Sequence, residues 1–153
     1  MTLLVLKEAL FSLLLLAAAL WDLKKREIPD TVPALILACG LLSCRPGAAA
    51  LGLITTGLPY FLAAVLSSRE GFAICGGDIK LMAACGFVLG VGGGLLQSIL
   101  SLLLIVLAGA GTAVRRKCKL NNVKMPLAPF FCAGGVFAYA AVAAASICLE
   151  VEP

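Results

Sequence analysis

Asp22 and Asp78 are the residues best placed to do chemistry in this sequence. Each stands at the edge of a long apolar run, where an acid is costly to desolvate and becomes a functional candidate. Two carboxylates facing each other at low dielectric hold one proton between them. One then acts as a base toward water and the other as an acid toward a carbonyl oxygen. That division of labour hydrolyses a peptide bond with no metal and no third catalytic group. The chain has no histidine, which removes Ser/His and Cys/His nucleophilic catalysis. Two blander readings also fit the residues. Asp22 is then an interfacial acid beside Lys24, Lys25 and Arg26, and Asp78 is the N-cap of the helix that follows it.

The elements that must position these acids are membrane helices. Of 153 residues, 62% are hydrophobic and 13% charged, far from the balance of a soluble domain. Mean hydropathy is +1.11. A hydrocarbon core of about 30 Å takes roughly 20 apolar residues per helix. The first span runs to about residue 21, with Lys7 and Glu8 near its start and no small-residue cleavage site after it. A short second span covers 31–44 and a third 47–66. The uncharged stretch 81–114 is too long for one crossing, and Gly90-Val91-Gly92-Gly93-Gly94 in its middle divides it into spans four and five. Span six covers 126–149. The expected fold is an all-α bundle of about six transmembrane helices forming a single membrane-embedded domain over residues 1–153.

Loop charge orients that bundle. Lys24, Lys25, Arg26, Arg69, Lys80, Arg115, Arg116, Lys117, Lys119 and Lys124 fall in loops 22–30, 67–80 and 115–125, leaving only Lys7 and Arg45 of the 12 basic residues for the other side. The positive-inside rule makes those three loops cytoplasmic and both termini extracytoplasmic, which puts Asp22 and Asp78 on one face. The net charge of +4 lies in short loops rather than along an exposed stripe, so it points to the bilayer and not to nucleic acid. The seven cysteines are scattered and form no C-x-x-C pair, so neither a zinc site nor a disulfide framework is indicated. Lys24 and Lys80 each follow an aspartate by two positions, which on a helix points them away from it, and snorkelling to the interface is their ordinary role.

Three segments resemble the type IV prepilin peptidases, membrane aspartyl proteases of the GxGD type. Asp22-Leu23-Lys24-Lys25-Arg26-Glu27-Ile28-Pro29-Asp30 looks like that family's first aspartate, followed across a basic loop by Ile-Pro and an Asn or Asp. Cys75-Gly76-Gly77-Asp78-Ile79-Lys80-Leu81 is similar to G-x-G-D-x-K-L, with Cys75 in place of the first glycine. Met125-Pro126-Leu127-Ala128-Pro129-Phe130, with Gly134 beyond, resembles the P-x-x-P-F opening of the last helix. The resemblance implies Asp22 and Asp78 as the catalytic dyad. Gly76 and Gly77 then let the backbone approach closely or take positive φ beside Asp78. Pro126 and Pro129 sit in a first helical turn, where proline costs little, and help shape a substrate groove.

The substrate implied is the basic N-terminal leader of a prepilin or pseudopilin, cut at its junction with a hydrophobic helix at the prokaryotic cytoplasmic (inner) membrane. Glu27, Asp30 and Glu70 are candidate acidic contacts for such a leader, and solvated loop charges otherwise. Long family members add a cysteine-rich zinc segment and methylate the new amino terminus. This sequence lacks that cysteine set, so peptidase activity without methyltransferase activity, metal or other cofactor is expected. One rival is a protease of the presenilin and signal-peptide-peptidase kind, which places tyrosine before its first aspartate where this chain has Trp21. Others are an ion-binding transporter subunit and a structural subunit whose acids are caps.

Overall fold

The computed structural model describes residues 2–42, 46–67, 76–116 and 126–151. All its elements are helices: α1 (Thr2–Lys25), α2 (Thr31–Leu41), α3 (Pro46–Ser67), α4 (Gly76–Arg116) and α5 (Ala128–Val151). Three stretches are long and apolar enough to cross a membrane, Pro46–Leu66, Gly76–Arg115 and Ala128–Ala145. The protein is a membrane protein. Expected spans one and two fall short of that measure among the described residues. In α1 the apolar run is limited to residues 9–21 by Lys7 and Glu8 on one side and Asp22 on the other. Helix α2 has 11 residues, about 16 Å of helix.

The uncharged stretch folds where glycine permits it. Within α4 the backbone leaves helical geometry at Gly90 (φ 71°, ψ −173°), a region essentially closed to residues with a side chain. Straight, its 41 residues would extend about 60 Å, twice the hydrocarbon core. Instead the chain doubles back. A Cβ placed on Gly94 would lie 3.1 Å from Gly86 Cα, whereas residues eight apart on a continuous helix are separated by about 12 Å. Helix α4 therefore has two antiparallel arms, 76–89 and 91–116.

This hairpin is the centre of the bundle. It packs against α2, α3 and α5, and α1 closes the ring by packing on α2 and α5. The buried core draws Phe11, Leu15 and Ala18 from α1 at helical spacing, Val32 and Ile36 from α2, Leu81, Met82 and Cys85 from α4, and Phe131 and Ala138 from α5. Large apolar side chains such as Leu13, Leu51, Phe61 and Leu103 point outward, as a bilayer allows. Helices meet through small residues. Gly52 of α3 lies directly against Gly86 and Gly90, Gly57 against Ala83, and Gly134 of α5 against Ser101. The Thr56 hydroxyl lies 2.9 Å from Gly52 O and 3.0 Å from Met82 O, sharing one proton between its own helix and the first arm of α4.

Candidate active site

Asp22 occupies the last turn of α1. That helix stops because Arg26 takes a left-handed conformation (φ 54°), with its N–H donating to Asp22 O at 2.8 Å. The Asp22 side chain turns inward and is 7% exposed. Its Oδ2 accepts a hydrogen bond of 3.0 Å from the N–H of Ala128, the first residue of α5. Helix starts leave their first N–H groups without intrahelical partners, and here the carboxylate supplies one, facing the positive end of the helix dipole. Pro126 precedes this turn and Pro129 lies within it, where a missing N–H costs nothing. Asp22 is therefore not a solvated partner of the loop cations.

Asp78 is the third residue of α4 and is 5% exposed. It stands inside the first turn rather than at the N-cap position that the bland reading required. The loop after α1 reaches it directly, since a Cβ on Gly77 would lie 3.1 Å from Ile28 Cβ and 3.3 Å from Ile28 O. A side chain at 77 would push that loop away, which is the close approach expected of this glycine. Gly76 is exposed with nothing within 4 Å of an added Cβ. Ile28 is buried in the core, and the half-buried Pro29 leads into α2. The two acids thus lie at one end of the bundle, joined through the Ile28 to Gly77 contact.

The neighbouring charges lie outside this buried layer. Lys80 Nζ bonds both carboxylate oxygens of Asp30 at 2.8 and 2.7 Å, with the two side chains 57% and 72% exposed. Asp30 stands at the N-cap of α2 without capping it through its side chain. This partner of Lys80, fifty residues back, is what sequence reasoning missed. Lys24 is exposed on the outer face of α1. It lines an open groove of about 460 Å³ with Ala17, Leu20, Trp21 and Lys25, whose Nζ lies 5.7 Å from the Trp21 ring centroid. That aromatic and basic pairing is typical of a membrane interface. Glu27 is exposed. Glu70 and Cys75 lie outside the described residues. Among the described residues, no three His, Cys, Asp or Glu side chains gather in a way that could hold a metal ion.

The sequence profile of the Type IV leader peptidase family matches residues 9–114, most of the chain. The chain belongs to that family. Membership makes it a peptidase, and the match includes Asp22, the Ile28-Pro29 loop, Asp78 and both arms of α4. It ends before α5, so the Ala128 contact to Asp22 comes from an element beyond the matched region. No curated protein and no solved structure matches the chain at a significant level.

Proposed function

We propose that this peptidase is an aspartyl endopeptidase that removes the basic leader from type IV prepilins or pseudopilins, with Asp22 and Asp78 as its dyad. The observation that carries the reading is the burial of both acids at the same end of a membrane bundle, one bonded to the start of α5 and the other inside the first turn of α4. Buried acids at a bundle's end are expensive, and hydrolysis gives that expense a use. One carboxylate takes a proton from the attacking water while the other donates one to the peptide carbonyl. The site then serves the cytoplasmic side of the inner membrane, with six crossings and both termini on the other side. Ten of the 12 basic residues fall in the stretches 22–30, 67–80 and 115–125, which also hold both acids, and by the positive-inside rule they support that orientation.

The test is coexpression with a tagged prepilin, comparing wild type with Asp22→Asn and Asp78→Asn. Leader removal should disappear in both variants. Normal processing by either one ends the dyad assignment.

A further inference from the structure

Several polar groups inside the bundle tie elements together. Thr56 bridges α3 and α4, and Gln97 Nε2 donates to Phe131 O at 3.1 Å. Tyr60 of α3 does neither. It is 8% exposed, and its hydroxyl has no hydrogen-bond partner among the described residues. Ser98 lies near enough to interact with it, but short of hydrogen-bond geometry, and itself donates to Gly94 O at 2.9 Å. Gln97 Oε1 and Ser101 Oγ also lack a partner among the described residues, but Gly134 of α5 is packed tightly against Ser101 Oγ and Gly135 against the Gln97 amide group. A buried unpaired hydroxyl is destabilising, and phenylalanine would fill the same space without it.

The packing register shows what this hydroxyl is near. Helix α3 runs antiparallel to the first arm of α4, with Gly52 against Gly86 and Thr56 against Met82. One more turn brings Tyr60 level with Asp78. The ring is fixed by an edge-on contact with Phe131, centroids 5.7 Å apart at 84°. Phe131 lies one turn beyond Ala128, which holds Asp22. Tyr60 thus packs between α4, which carries Asp78, and α5, whose first residue bonds Asp22.

The geometry points to Tyr60 as a positioning residue of the peptidase site, its hydroxyl donating to the Asp78 carboxylate from the α3 side while a peptide is bound. Hydrogen bonds of this kind are commonly open in a resting site and close in the loaded one. The inference rests on the aspartyl peptidase reading above.

The experiment uses the full chain in proteoliposomes with a reporter made of a short basic leader, a glycine junction and an apolar helix. Tyr60→Phe should lower kcat by about 10- to 100-fold with KM changed less than about twofold. Its thermal midpoint should equal or exceed that of wild type, because the unpaired hydroxyl is gone. Unchanged kcat, or a midpoint that falls along with the activity, overturns the proposal. Phe131→Leu keeps the hydroxyl and loosens its ring, so its kcat loss should be smaller; a larger loss than in Tyr60→Phe would place the effect in packing and overturn it as well. A wild-type chain that leaves the reporter intact removes the peptidase reading and this inference together, whereas full activity in Tyr60→Phe alone removes only the inference.

Discussion

In the proposed dyad Asp22 has two jobs that substitution can separate. Asparagine keeps an oxygen for the Ala128 N–H, so Asp22→Asn should abolish leader cleavage while changing unfolding free energy by less than about 1 kcal/mol. Alanine also orphans that N–H, and Asp22→Ala should cost about 1–3 kcal/mol in denaturant titrations of the purified protein. Equal stability of the two variants would show that the bond contributes nothing. The Lys80 to Asp30 pair is a different case despite its short distances. Both partners are more than half exposed, so a double-mutant cycle should give a coupling below about 1 kcal/mol. The acids were legible in the sequence because a carboxylate in an apolar chain stands out. The Ala128 N–H was not, since every residue but proline has one and only the fold says which faces the acid. Tyr60 offered a weak signal, as one of only 2 tyrosines in the chain.

The glycine run at 90–94 announced a turn, but not which glycine makes it. Only Gly90 leaves helical geometry, and nothing lies within 4 Å of a Cβ added there. Gly90→Ala should therefore cost about 1–3 kcal/mol through backbone conformation alone, with no steric clash to relieve. Gly86 presents the opposite situation. Its backbone is helical, but a Cβ would collide with the Thr56 hydroxyl and Gly52 O, so Gly86→Ala should cost a similar amount by separating α3 from α4. A second substitution distinguishes the two causes. Thr56→Ser removes the methyl group that would lie 2.8 Å from the new Cβ, and should relieve part of the Gly86→Ala defect while leaving Gly90→Ala unchanged. Gly52, Thr56 and Gly57 on α3 make close helix contacts. Which helix they would meet depended on the hairpin, which no local pattern specifies.

The contacts between helices fix their directions, and directions fix topology. Phe11 meets Tyr139, Leu15 meets Gly135 and Asp22 meets Ala128, so α1 and α5 are antiparallel. Ile28 meets Gly77 and Gly40 meets Phe87, so α2 runs parallel to the first arm of α4. With α3 antiparallel to that arm, successive segments alternately approach and leave the end that holds the acids. We expect each of these six segments to cross the membrane, and reporters that are active only in the cytoplasm should be active when fused within 22–30, 67–80 or 115–125. The lengths add something the charges did not show. Residues 9–21 give α1 about 20 Å of apolar helix, and Asp78 is about 18 Å along the first arm from Gly90, whereas Pro46–Leu66 of α3 spans about 31 Å. A membrane slab matched to α3 and the second arm of α4 should therefore extend beyond the acids on their side and leave them in a recess. The register of α5 on the second arm, Val142 against Gly93 and Gly134 against Ser101, makes Ala128 level with Leu107, about 10 Å short of Val114. Nitroxide labels at Leu23→Cys and Val114→Cys, both exposed in the native chain, should then differ in membrane depth by about 10 Å, in a background with the native cysteines replaced. Equal depths would bring the acids up to the membrane edge. The expected difference would mean that a substrate's cleavage junction must be drawn about two helical turns into the bundle before either carboxylate can reach it.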